Sequence, residues 1–239
     1  ASTMGEQAYA MTAGDWAGAS TMGGKAHAMT AGNVAEASTM GEQAYAMTAG
    51  KWAYASTSGE DAHAMTAGKG AAASTTGEGA YAMTAGYGAA ASTRGKYARA
   101  ITASNDAEAI TSGEKAHAIT VGYKARASTS GEKAHAMAAS EWGSASTTGF
   151  GANAIASSDG SSAATAGAGS VAVALGGVLF GDVARARAGL GGAIVIVKRA
   201  DDHTLLHIFA SKVGENGIKP DTWYELDEQG QPVADKENG

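Results

Sequence analysis

Ala8-Tyr9-Ala10-Met11-Thr12-Ala13-Gly14-Asp15-Trp16, followed directly by Ala17-Gly18-Ala19-Ser20-Thr21-Met22-Gly23-Gly24-Lys25, contains the whole construction rule of this chain. The phrase Ala-x-Ala-x-Thr-x-Gly-x-x runs from Ala8 to Val178, nineteen times in succession. A unit this short cannot bury its own apolar face, so copies must stack on one another, and the product is a solenoid or roll. Within the phrase, positions one, three and five alternate with positions two and four, the period-two signature of a strand. Five strand residues are followed by four turn residues.

Alternate phrases differ. One type reads Ala-x-Ala-Ser-Thr (Ser20, Ser38, Ser56, Ser74, Ser92) and the other Ala-x-Ala-Met-Thr (Met11, Met29, Met47, Met65, Met83), so two phrases make one eighteen-residue coil with two sheets. Position two accepts Tyr9, His27, Glu36, Ala72, Arg99 and Arg126, whereas Ala at positions one and three hardly varies. The variable side must face outward and the alanine side inward. Alanine on both inner faces brings two sheets closer than the usual ~10 Å, which predicts a flattened roll. Thr at position five is expected to pack inward by its methyl and to cap turn amides by its hydroxyl. Gly at position seven (Gly5, Gly14, Gly23, Gly32, Gly41, Gly50) is expected to supply the positive φ of a tight turn. The fold class is therefore all-β: a flattened two-sheet parallel β-solenoid of about ten coils, close to 50 Å long at ~4.8 Å per coil, with a small C-terminal β cap.

The cap is read from residues 175 to 239. After Leu175 the inner residues grow, the register slips by five residues at Leu179 to Val183, and Ala184–Ala188 and Ala193–Val197 resume the phrase. Residues 1–197 form the solenoid and 198–239 the cap and tail. Ala193–Val197 and Thr204–Ala210 flank the polar turn Lys198–His203, and Trp223–Leu226 with Gln231–Val233 flank Asp227–Gly230, two hairpin signals. Val233 to Gly239 is charged and reads as a frayed tail.

Composition excludes several functions. A formal net charge of -6 with scattered Lys and Arg argues against nucleic-acid binding. The absence of cysteine removes disulfides and thiolate metal sites. The most apolar stretch, Val171 to Val197, is interrupted by Gly, Asp182, Arg185 and Arg187, so it is not a membrane span. No signal peptide is visible, and the chain opens at the third position of a phrase, which points to an upstream segment. A soluble protein is expected, with the bacterial cytoplasm, a phage particle or a cell surface as its setting.

The candidate site is a stripe. Outward positions of the Met-bearing sheet carry Tyr9, Met11, His27, Met29, Tyr45, Met47, His63, Met65, Tyr81 and Met83, a row continued by Arg99, His117 and His135. The Ser-bearing sheet shows Glu36, Glu108 and Arg126 instead. An apolar stripe of this length exceeds what monomers usually expose, so it is expected to be covered by a partner, first of all a second copy. His117 and His135 fall one coil apart but lack a third ligand, and no metal or cofactor is expected. The row Glu42, Glu60, Glu78, with Glu114 and Glu132, shares the nine-residue period of calcium rolls but lacks their paired glycines and aspartate. Catalytic elbows, phosphate loops and carboxylate pairs are missing, and an alanine-filled roll has no interior to form a pocket; an enzyme is not expected.

The Ala-x-Ala-x-Thr/Gly phrasing with the tail Ala210-Ser-Lys-Val-Gly-Glu-Asn-Gly-Ile-Lys-Pro-Asp-Thr-Trp-Tyr224 resembles Ala/Gly/Thr-rich repeat proteins of phage and prophage genomes, which implies a structural or partner-blocking role. Ser170-Val171-Ala172-Val173-Ala174 is similar to the strands of trimeric autotransporter heads, which implies an adhesin or tail-fibre-like surface module. The thin repetitive design also resembles flat ice-binding β-solenoids, although those display outward Thr and here Thr shares the inward parity of Ala.

Overall fold

The computed structural model describes residues 1–176, 184–200 and 204–235. Its strands build an all-β solenoid of two parallel sheets and about ten eighteen-residue turns, finished by antiparallel C-terminal strands. The expected register slip at Leu179 to Val183 and the turn residues Asp201, Asp202 and His203 lie outside the described residues, as does the end of the tail beyond Asp235. Two compact units are present, Ala1–Thr120 and Val121–Gly239.

In the first unit, the strands Gly18–Met22, Glu36–Met40, Tyr54–Ser58 and Ala72–Thr76 pair in parallel in the serine sheet. Tyr9–Ala13, His27–Ala31, Tyr45–Ala49, His63–Ala67, Tyr81–Ala85 and Arg99–Ala103 form the methionine sheet. Every partner lies eighteen residues on, Ala28 against Ala46 and Ser38 against Ser56, so side chains stand over one another in rows, identical along the inward rows. The inward rows are Ala and Thr: Ala46, Ala55 and Ala64 are fully buried, and Thr57 and Thr75 nearly so. Each alanine contributes little apolar area, and the ladder hydrogen bonds carry a correspondingly large share of the order.

The threonines differ from expectation in one respect. Their methyls are inside, but the hydroxyls of Thr21, Thr39, Thr57, Thr75, Thr30, Thr48 and Thr66 are buried with no hydrogen-bond partner, so they do not cap turn amides. Those amides bond along the solenoid axis instead, Gly23 N–H to the Met40 carbonyl and Lys25 N–H to the Glu42 carbonyl, each at 2.8 Å. The turns therefore stack as a ladder of their own and leave the threonine hydroxyl no donor to meet.

Position seven has the expected positive φ, 136° at Gly5 and 149° at Gly41, and each turn holds a second residue in the left-handed conformation. Position nine adopts it, with Gln7, Trp16, Lys25, Val34, Gln43 and Trp52 at φ between 51° and 62°. Glycine is needed at position seven because the turns approach closely: at Gly41, with φ +149°, a β-carbon would fall onto the carbonyl oxygen of Gly23.

The second unit begins with the same pairing, Arg126–Thr129 against Ser144–Thr147 and His135–Ala139 against Asn153–Ala156. Ser162 then pairs with Arg185, while Val171 pairs with Ala193. Four residues, Gly189–Gly192, connect Ala188 to Ala193 where five connect Thr165 to Val171, so Ala193 resumes at the outward position rather than at the first position of the phrase. Ile194 and Ile196 consequently point inward, and they are the largest of the fully buried side chains. Enlargement of the core is thus achieved by isoleucine.

Ala193–Arg199 turns back as an antiparallel hairpin with Leu205–Lys212. Tyr224–Leu226 pairs with Pro232–Ala234, and Tyr224 also pairs with Ala186. The turn between them is held by Asp227 Oδ1, which accepts from the backbone N–H groups of Gln229 (2.9 Å) and Gln231 (2.8 Å). Val233 and Ala234 are strand residues, not part of a frayed tail, and Asp235 forms an ion pair with Arg185 at 2.7 Å.

Candidate functional site: the methionine face

All ten stripe residues lie on the outer surface of the methionine sheet within the first unit. Tyr9, His27, Tyr45, His63 and Tyr81 stand in one row because each occupies position two of its strand, and parallel in-register pairing puts each ring over the next. Centroids are 4.7, 5.0, 4.7 and 5.0 Å apart and the rings are within 5° of parallel. The Arg99 guanidinium ends the row, 5.3 Å from the Tyr81 centroid, in a cation–π contact. Met11, Met29, Met47, Met65 and Met83 form the adjacent row, continued by Ile101, and Ala13, Ala31, Ala49 and Ala67 a third.

The stack changes what the face offers. Ring faces are covered by neighbouring rings, so the row presents hydroxyl and imidazole edges outward. Met29, Met47 and Met65 are half-buried by one another, whereas Met11 and Met83 are exposed. Beside the rings runs an open groove lined by Lys25, His27, Gln43, Tyr45, Asp61, His63 and Tyr81. Burial among the rings holds His63 below the ordinary histidine pKa, with the charge of Asp61 pulling the other way. The imidazole is therefore less readily charged than a free histidine, and none of the ten residues is an Asp, Glu, Lys or Arg.

His117 opens the strand His117–Val121, and His135 belongs to the second unit, where its Nδ1 lies 3.5 Å from Asn153 Nδ2. Among the described residues no cluster of three or more His, Cys, Asp or Glu is arranged to hold a metal ion. Glu114, one of the turn carboxylates, is paired with Lys96 (3.2 Å) and Lys115 (3.6 Å), and the Lys96 ammonium chiefly lowers its pKa. Among the described residues no helix is long and apolar enough to cross a membrane. No protein-family model matches this chain, and neither does any curated protein or solved structure.

Proposed function

We propose that this chain is a non-enzymatic structural or protein-binding rod, of the kind phage and prophage genomes encode, and that it self-associates through the methionine face. The observation that carries this reading is the uninterrupted double row of stacked rings and methionines, without an Asp, Glu, Lys or Arg from Tyr9 to Met83 and bounded by Arg99. The five strands that carry it together with the bounding strand Arg99–Ala103, at ~4.8 Å apart and five residues of ~3.3 Å each, give this face about 500 Å². Two copies laid face to face would bury about 1,000 Å², the lower bound of a specific interface. A flat face repeated along one axis suits a twofold arrangement, and methionine supplies side chains that adapt to their own image. The filling of the interior by Ala and Thr supports a surface function over catalysis. The inward threonines leave no outward threonine array of the ice-binding kind.

Met47→Glu combined with Met65→Glu tests the proposal. It places two carboxylates at the centre of the face without touching the alanine core. The wild-type chain should behave as a dimer or higher species and the double variant as a monomer of unchanged circular dichroism. Equal masses for the two proteins would sink the proposal.

A further inference from the structure

A second feature lies on the turn edge that follows the methionine strands. Trp16, Val34, Trp52 and Gly70 occupy position nine of successive coils, and the turns are tied to one another by Trp16 N–H to the Asn33 carbonyl and Trp52 N–H to the Lys69 carbonyl, both 2.9 Å. Position nine is left-handed. Gly70 and Gly88 hold that conformation without steric cost, yet Trp16 and Trp52 hold it at φ 62° and 57°. The two indoles gain little burial in return: they are 78% and 64% exposed. That conformation belongs to position nine whatever its residue, Gln7, Lys25, Val34 and Gln43 included; what sets the two indoles apart is that large apolar rings are left in water, which points to a contact outside the fold.

The spacing defines that role. Tyr87, 54% exposed, stands beside Gly88, so large aromatic groups project at alternate coils (Trp16, Trp52, Tyr87) with Val34 and Gly70 between them. Gly70 gives the second indole room, whereas Val34 stands beside the first. A β-carbon at Gly70 would come within 2.6 Å of Trp52 Cε3 and Cζ3, so the ring leans over that glycine. Two coils at ~4.8 Å place successive aromatic groups about 10 Å apart over some 20 Å of edge.

In a β-1,4-linked pyranose chain each sugar is turned over relative to the last, so the same C–H face recurs once per disaccharide. That repeat is close to the two-coil spacing. Polar side chains flank the row at position eight. Asn33 donates its backbone N–H (2.9 Å) and Nδ2 (3.1 Å) to Asp15 Oδ1, which fixes the carboxylate and leaves its second oxygen to accept a sugar hydroxyl. Lys51 is an exposed donor along the same edge, while the Lys69 ammonium sits 5.5 Å from the Tyr87 centroid and covers one face of that ring, whose hydroxyl bonds to Asp106. A protein partner would favour aromatic anchors clustered at one centre, not strung out at a fixed interval.

We propose that the edge bearing Trp16, Trp52 and Tyr87 is a binding site for a linear, neutral β-1,4-linked polysaccharide, with the aromatic side chains packing on every second sugar. The site is separate from the methionine face.

Depletion from solution onto microcrystalline cellulose and crystalline chitin, with granular starch as the α-linked control, tests it. The chain should be retained on at least one of the β-linked polymers and not on starch. Trp16→Gly with Trp52→Gly removes the rings and installs the residue that Gly70 and Gly88 already use, so the fold is kept; retention should fall at least tenfold, and Tyr87→Ala should cost less. Met47→Glu with Met65→Glu should bind like wild type, which keeps this outcome distinct from that of self-association. No retention on either β-linked polymer, equal retention on starch, or retention unchanged in the double glycine variant would overturn the proposal. Loss of self-association in that variant, without a change in retention, would assign the edge to a protein contact instead.

Discussion

On the methionine sheet His27, Tyr45 and His63 stack ring on ring beside Met29, Met47 and Met65, whereas at matching positions the serine sheet carries Glu36, Tyr54 and Ala72 beside Ser38, Ser56 and Ser74. Behind both lie the same inward rows, Ala28 and Ala46 on one side, Ala37 and Ala55 on the other, all fully buried. The repeat therefore separates two tasks. Inward positions specify the coil and keep Ala and Thr throughout the first unit, and outward positions are free to differ because a change there does not reach the core. The fold is symmetrical between the sheets, and any difference in behaviour between them must come from the outer rows.

The largest expected effect breaks both sheets equally. Ala46→Leu and Ala55→Leu force three extra carbons between two alanine-lined faces, and each should cost about 3 kcal/mol in urea unfolding because the overpacked coil must move its neighbours. A change much smaller than that at either position would mean that the inner faces are not closely apposed. Next comes a contrast between the sheets. Met47→Glu should weaken self-association at least about tenfold, roughly 1.4 kcal/mol, while Ser56→Glu at the equivalent outward position should leave it unchanged in sedimentation measurements. Equal effects would remove the distinction between the faces.

Thr57→Val and Thr66→Val sharpen the shared interior. A buried hydroxyl without a partner is a desolvation cost, and its replacement by a methyl of the same shape should raise stability by about 1 kcal/mol on each sheet, read from the urea midpoint. A loss of stability at both positions would show that the hydroxyls are satisfied in solution. The smallest effect concerns His63 alone. Its folded pKa lies below the ordinary value of 6.5, so the neutral form is favoured by folding. Its contribution to stability is present above pH 6.5 and declines as the pH falls from there through the folded pKa. His63→Gln should flatten that part of the pH–stability curve, and an unchanged curve would remove the assignment.

Much of this architecture is legible in the residues. Alternation of Ala-x-Ala-Ser-Thr with Ala-x-Ala-Met-Thr gives the i to i+18 pairing and the two sheets, and the variability of position two gives the outward side. The stripe follows from the same parity. Its ring-on-ring geometry does not, since stacking depends on side-chain rotation rather than position. The second positive-φ residue of the turn was illegible because position nine holds Gln, Trp, Lys and Val, side chains that ordinarily avoid it, whereas the glycine two positions earlier announces its own positive φ. The shift at Ala193 follows from a turn one residue shorter, and the glycine-rich Gly189–Gly192 carries no phase of its own. Trp16, Trp52 and Tyr87 are hidden for a related reason: they recur at two-coil intervals in turn positions that otherwise vary freely.

Solution mass by light scattering across a concentration series tests most directly whether the methionine face is an interface. A mass at least twice that of the 23.5 kDa chain, maintained on dilution into the micromolar range, is the predicted result. A single monomeric mass at every concentration would contradict it and leave the stacked row of Tyr9, His27, Tyr45, His63 and Tyr81 facing water.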